Sequence, residues 1–286
     1  MRRVTGRGRW GRWLWGATGL AGAAAIAIPG VVFIAYGGNP WRDTTAPPDS
    51  TPITRTFTVN QPVRSVAVDS YGGAVEVRTA HVTSVTITET VGADSAAPLP
   101  GWHPVASAGQ LTVADPNCDW GLNCIDLAVT VPQGVSVSIA SGGGPVSVTG
   151  TAGAYVDSAG GQVTASRIGG PLTITSNGGS VLITGLTGTV NADTAGGDLA
   201  ARDIAATTAV ITTGGGAALA AFATPPVSVT VSTDGGSATV LVPGGPYAVT
   251  ANSDGGAESV RVPDDSAARR SVEVSSGSGP LLIAPA

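Results

Sequence analysis

The chain has no lysine at all; its 14 basic residues are all arginine. Histidine is almost as scarce, with only His81 and His103, and aromatic residues make up 5% of the sequence. The cysteines are Cys118 and Cys124 alone. These scarcities remove classes of function. Both histidines fall outside the repeated segments, so a serine nucleophile placed there would lack its usual base. Two cysteines six apart lack the further ligands of a structural metal site, and their spacing is not that of a two-residue redox motif. No cysteine stands near the N-terminal apolar stretch, which argues against attachment as a lipoprotein. Beyond residue 38, nine arginines face nineteen acids, a net charge of −10 (9 − 19). That balance argues against nucleic acid and against docking on anionic lipid.

Glycine is abundant instead, at 42 of 286 residues, and it is ordered. Ser158-Ala159-Gly160-Gly161 returns as Ser141-Gly142-Gly143-Gly144, Ser176-Asn177-Gly178-Gly179, Thr194-Ala195-Gly196-Gly197, Thr213-Gly214-Gly215-Gly216, Thr233-Asp234-Gly235-Gly236 and Ser253-Asp254-Gly255-Gly256. A degenerate copy, Ser276-Gly277-Ser278-Gly279, ends the series, and Ser70-Tyr71-Gly72-Gly73 precedes it. From Gly144 onward the final glycines step by 17, 18, 18, 19, 20, 20 and 23 residues. Such a period predicts a stack in which each repeat is one coil.

Apolar residues alternate on both sides of each turn. Val137, Ala154, Leu172, Val190, Ala209, Val229, Val249 and Val272 stand seven residues before the final glycine. Ile139, Val156, Ile174, Ala192, Ile211, Val231, Ala251 and Val274 stand five before it. Val146, Val163, Val181 and Leu199 follow two residues after it. Period-2 alternation around a Gly-Gly pair reads as strand, turn, strand with one face buried. The predicted fold is therefore all-β, a single-stacked β-solenoid of 17–23-residue Ser/Thr-x-Gly-Gly coils, preceded by one transmembrane helix. In the turns, the hydroxyls are expected to bond backbone amides and one another. The pairs Gly160–Gly161, Gly178–Gly179 and Gly196–Gly197 are expected to supply positive φ and close coil approach.

Five arginines lie before residue 13, and no charge follows until Arg42. Leu14 to Tyr36, 23 mostly apolar residues, would span about 34 Å as a helix, enough to cross a bilayer. The boundaries read as a basic cytoplasmic tail at 1–12, a membrane helix at 13–38, a proline-rich tether at 39–53 and an external domain at 54–286. Within that domain, 54–135 is irregular and 136–286 regular. The competing reading, a cleavable signal peptide, requires an apolar core of only 7–15 residues and a small-residue cleavage site. Outside the membrane, Cys118 and Cys124 in a Gly/Asn-containing loop are expected to form a disulfide. The last apolar strand, Leu281-Leu282-Ile283, has no later coil to cover it and reads as an open edge for self-association.

Leu127-Ala128-Val129-Thr130-Val131-Pro132-Gln133-Gly134-Val135-Ser136-Val137, leading into the glycine-paired coils, resembles the bacterial putative-adhesin β-strand-repeat domain. The similarity covers residues 55–284, and Val242-Pro243-Gly244 and Val262-Pro263-Asp264 echo its Val-Pro-x-Gly motif. The all-arginine, Gly- and Ala-rich composition is similar to that of actinobacterial members. The resemblance implies a β-solenoid presented at the cell envelope, and it carries over no catalytic residue.

The leading functional reading is a non-catalytic, membrane-anchored cell-surface binding or adhesion module that needs no cofactor. Four residues before each final glycine, the outward column contains Asp157, Thr175 and Asp193, a candidate ladder for a cell-wall glycan or an envelope protein. A second reading is an envelope-stress sensor or accessory protein acting through a membrane partner, because a dozen cytoplasmic residues are too few for a signalling domain. A third is a polysaccharide-cleaving β-helix using Asp157 and Asp193, two coils and about 9–10 Å apart. It is disfavoured by Thr175 between them and by the absence of neighbouring cations. Calcium-binding coils would need alternating Asp after the glycines, and only Asp198 directly follows a Gly-Gly pair. The Gly-rich turns precede no helix and are not phosphate loops.

Overall fold

The computed structural model describes residues 26–28, 31–33, 52–91, 103–115 and 124–286. The chain divides into two compact units, residues 1–48 and 49–286. In the first, β1 (Ile26–Ile28) pairs antiparallel with β2 (Val31–Phe33). These residues lie within 13–38, so the expected helix is corrected to strand at those positions. Isoleucine and valine, four of these six residues, are good strand formers, and Pro29 and Gly30, both poor helix formers, separate the two strands in sequence. Among the described residues, no helix is long and apolar enough to cross a membrane. The tail 1–12, the rest of 13–38, the tether up to Thr51 and the Cys118 loop lie outside the described residues.

The second unit is all-β, with 21 strands in one continuous sheet. Its N-terminal part contains β3 (Ile53–Val59), β4 (Ser65–Ser70), β5 (Val75–Ala80), β6 (Val85–Val91), β7 (Val105–Ser107), β8 (Gln110–Asp115) and β9 (Ile125–Pro132). The regular part continues with β10 (Ser136–Ser141), β11 (Val146–Thr149), β12 (Gly153–Ser158), β13 (Val163–Ser166), β14 (Leu172–Ser176), β15 (Val181–Thr194), β16 (Leu199–Thr213), β17 (Ala218–Phe222), β18 (Ser228–Thr233) and β19 (Ala238–Val242). Last come β20 (Ala248–Ser253), β21 (Glu258–Val260), β22 (Ser271–Ser276) and β23 (Leu281–Pro285).

Through the middle, each strand pairs in parallel with its counterpart one repeat later. Before the turn the register runs Val137, Ala154, Leu172, Val190, Ala209, Val229. After the turn it runs Val146, Val163, Val181, Leu199, Ala218, Ala238. All of these are buried, as the period-2 pattern requires, and each large aliphatic contributes about 1.5–3 kcal/mol. A third side of the repeat, not singled out in the sequence, buries Ile168, Leu186, Ile204 and Phe222. Leu186, Ile204 and Phe222 also stack in register. The register slips between Gly188 and Thr189, where the repeat lengthens from 18 to 19 residues.

The turn works differently from expectation in two respects. The hydroxyls are buried and donate mainly to a carbonyl rather than accepting from amides. Thus Ser158 donates to the Gly161 carbonyl at 3.3 Å, Thr194 to that of Gly197 at 2.6 Å and Thr213 to that of Gly216 at 2.6 Å. A short polar side chain is held there because it satisfies a carbonyl enclosed by the turn. The second correction concerns glycine. Gly160, Gly178 and Gly196 have no left-handed φ, and a Cβ on any of them would meet open space. A Cβ on Gly161, Gly179 or Gly197 would instead come within 2.0, 2.0 and 2.2 Å of the preceding repeat's glycine carbonyl. Close approach of stacked backbones selects the second glycine of each pair.

At both ends, stack order departs from chain order. The β4–β5 repeat lies between β8–β9 on one side and β10–β11 on the other. Beyond β9 lie antiparallel β6 and then β3, while β7 flanks β8. In sequence the Cys118–Cys124 segment lies between β8 and β9, and a Cβ on Gly73 would fall 1.9 Å from the carbonyl of Ile125, the first residue of β9. Cys124 is not a free thiol.

The C-terminal end mirrors this exchange. β22 pairs with both β18 and β20, and β23 with both β19 and β21. Leu281–Ile283 is therefore interior rather than an open edge, with Leu281 and Ile283 buried. The reason lies in one position: Glu258 of β21 is in register with Leu281 of β23. A two-sided apolar environment accepts leucine and rejects an uncompensated carboxylate. The polar repeat consequently takes the edge, where Glu258 accepts the Ser253 amide at 2.6 Å and Asp264 accepts that of Val249 at 3.0 Å. Both contacts occupy edge-strand donors that would otherwise be open to pairing.

Candidate binding face

Outward residues of the strands preceding the turns form a continuous column. In register it reads Ala114, Asp69, Ala140, Asp157, Thr175, Asp193, Thr212, Ser232, Ser275 and Asn252. Asp157, Thr175 and Asp193 are thus adjacent in the expected order, Asp157 and Asp193 exposed and Thr175 half-buried. At about 4.8 Å per strand, the two carboxylates are about 9–10 Å apart. Ser275 occupies a place that only the exchanged C-terminal order provides, and its hydroxyl donates to that of Ser232 at 3.0 Å.

On this face opens a cavity of about 360 Å³. Asp69 and Tyr71 contribute from one repeat, Ala140 and Gly142 from the next, Asp157 and Ala159 from the third and Asn177 from the fourth. The hollow exists because small residues coincide in two neighbouring columns over successive repeats. Tyr71 is 62% exposed although most large apolar or aromatic side chains in this unit are buried. Of the predicted ladder, only Asp157 lines the cavity; Thr175 and Asp193 continue the same column beyond it. Tyr71 and Asn177 were not among the expected site residues. Their signal was the variable position of Ser/Thr-x-Gly-Gly, where Tyr71 is the one aromatic in the series.

The cavity offers carboxylate acceptors, an amide that both donates and accepts, a phenol and an aromatic face. Ser158 is fully buried and its hydroxyl donates to the Gly161 carbonyl, which leaves it unavailable as a nucleophile. Asp198 accepts the Ala217 amide at 2.8 Å, a structural use of the one acid that directly follows a Gly-Gly pair. Among the described residues, no group of three or more His, Cys, Asp or Glu side chains could hold a metal ion.

No protein-family model and no curated protein matches the chain. Solved structures do. A putative adhesin from Parabacteroides distasonis superposes with a TM-score of 0.53 at 13% identity, covering 82% of this chain and 98% of that one. A putative lipid binding protein from the same species gives 0.51 at 12% identity, with 82% and 97% covered. A putative adhesin from Bacteroides fragilis gives 0.43 at 14% identity, with 82% and 98% covered. None of these supports the actinobacterial type expected from composition. At such identities the likeness is one of fold, and the chain shares the all-β fold of the two Parabacteroides distasonis structures, one of them named as a putative adhesin.

Proposed function

We propose that residues 54–286 form a single-stacked β-solenoid that serves as a binding module at the cell surface, with no chemistry of its own. The apolar segment 13–38 anchors it to the membrane, with the N-terminus cytoplasmic and the repeats outside. A bridge between Cys118 and Cys124 closes the turn of the β8–β9 repeat. The ligand is a repetitive envelope polymer, with cell-wall glycan the leading class.

The observation that supports this reading is the in-register outward column through Asp157, Thr175 and Asp193. A regular strand spacing presents a hydrogen-bonding group at each step, so weak contacts add along a polymer that repeats too. Anchoring draws on the uncharged apolar run and the arginines before it. The shared fold with structures named as putative adhesins agrees with a binding role. The test is a pull-down of full-length protein on isolated cell walls. Saturable binding that falls at least tenfold in the Asp157→Ala/Asp193→Ala double variant supports the module. Absence of binding to any wall fraction sinks it.

A further inference from the structure

We infer that the cavity between Asp69 and Asp157 is a subsite for one ring of a neutral glycan. This rests on the binding-module reading and adds a location and a chemistry to it. Asp69 and Asp157 stand two strands apart, about 9–10 Å, across a floor made by Ala140. That gap is the size of a single pyranose with its hydroxyls.

One end of the gap carries Tyr71, whose neighbour across the next strand is Gly142. Glycine is enforced there, because a Cβ on Gly142 would come within 2.0 Å of the Tyr71 carbonyl. The space beside the tyrosine is thus maintained by backbone packing. An exposed aromatic face accepts the C–H face of a sugar, while carboxylates at the rim accept from its hydroxyls. Asn177, at the far end, can donate to a ring or hydroxyl oxygen.

Charge separates this ligand from its rivals. Two carboxylates in a net-acidic domain repel an anionic polymer. A cationic peptide would find an aromatic and two acids, but the column beyond the cavity suits it poorly. There the groups alternate or lose charge altogether, through Thr175, Asp193, Thr212, Ser232 and Ser275. A chain of hydroxyls matches that series; a chain of cations does not.

The experiment titrates full-length protein with β-1,4-linked tetramers of glucose and of N-acetylglucosamine, and separately with pentalysine. Binding is followed by calorimetry and by the tyrosine ring resonances. The expected result is saturable binding of at least one tetramer with perturbation of Tyr71 resonances. Tyr71→Ala and Asp69→Asn each weaken it tenfold or more, Tyr71→Phe retains it, and Glu76→Gln, exposed on β5 and outside the column, changes it less than threefold. Thermal melts establish that each variant is folded, as the exposure of Tyr71 and Asp69 leads one to expect. Equal tetramer binding by Tyr71→Ala overturns the subsite, as does binding of pentalysine with neither tetramer. In either case retained wall binding leaves the surface-module reading standing, and its loss in wild type removes both.

Discussion

Between Ser136 and Val242 the repeats stack in the order in which the chain makes them; at both ends they do not. In the middle, each new repeat needs only its predecessor, so a local pattern suffices. At the N-terminal end the chain passes from β4–β5 outward to β8–β9 and crosses back to lay β10–β11 on the other side. At the C-terminal end it passes outward to β20–β21 and returns with β22–β23 to fill the gap. The first repeat, β4–β5, and the last, β22–β23, thus become interior, while repeats nearer the middle of the chain lie outside them. Burial follows position rather than pattern. Val249 and Ala251 repeat the spacing of Val229 and Val231, yet the first pair is partly buried and the second fully buried. Terminal strands in a stack have to solve an edge problem that internal ones never meet.

Deletion of residues 268–286 distinguishes the two stacking orders. If stack order followed chain order, only the final repeat would be lost. In the observed order, β20–β21 loses its partner, and four buried aliphatics, Val272, Val274, Leu281 and Ile283, are removed at about 1.5–3 kcal/mol each. Hydrogen exchange should then show residues 248–260 unprotected while 136–213 stays protected. Protection retained at 248–260 would refute the exchanged order.

Within the middle, the two glycines of one turn provide the next test. Gly179→Ala drives a Cβ against the Gly161 carbonyl and is expected to cost about 3 kcal/mol or more, whereas Gly178→Ala stays within about 0.5 kcal/mol. Chemical-denaturation midpoints measure both. Equal effects would mean that turn conformation, not stacking, selects these glycines.

At the N-terminal end, Glu89 occupies an inward position beside Val85, Ile87 and Val91 and receives the Arg55 guanidinium at 2.6 Å. Arg55 also lies 4.7 Å from the Phe57 ring centre, and Phe57 meets His103 edge-on. Removing one partner of a buried pair costs more than the pair contributes. Because Arg55 is a quarter exposed, Arg55→Ala should cost about 2 kcal/mol, partly restored by adding Glu89→Gln. No recovery in the double variant would show that Arg55 acts through packing alone.

The smallest effect concerns Tyr247 at the opposite end, buried and donating to the Pro243 carbonyl at 2.8 Å. Burial raises its phenol above the ordinary value near 10, and the positive charge of Arg270 partly offsets the rise. The folded protein therefore holds the phenolic proton more tightly than the unfolded chain. Its contribution is complete below about pH 10 and is lost as pH rises through the folded value. Tyr247→Phe should cost about 1 kcal/mol at neutral pH and remove part of the alkaline loss seen by pH-dependent melting. An unchanged alkaline profile would remove Tyr247 from that account.

The core columns and the Asp157–Thr175–Asp193 ladder were legible because period-2 alternation and a nearly constant step suffice to align them. The turn serines were legible as structural, although their partner turned out to be a carbonyl. The cavity was not legible. Asp69 and Ala140 are 71 residues apart, and they become neighbours only because the β8–β9 repeat moves outside β4–β5. Nor could the interior place of Leu281 be read from its own segment. It depends on competition with Glu258 for the same position, a comparison between two repeats rather than a property of either.

The all-β class, the repeat length, the inward and outward faces and the need for glycine at each turn are written in the residue pattern. Those features depend on interactions along the chain or one fixed step away, and strand periodicity encodes them directly. Which repeat sits beside which at the two ends, which edge remains open and where small residues coincide to hollow out a cavity follow only from packing. These are choices among pairings with similar local patterns. They are settled by which side chains tolerate burial on both sides and which backbones can approach closely enough to stack.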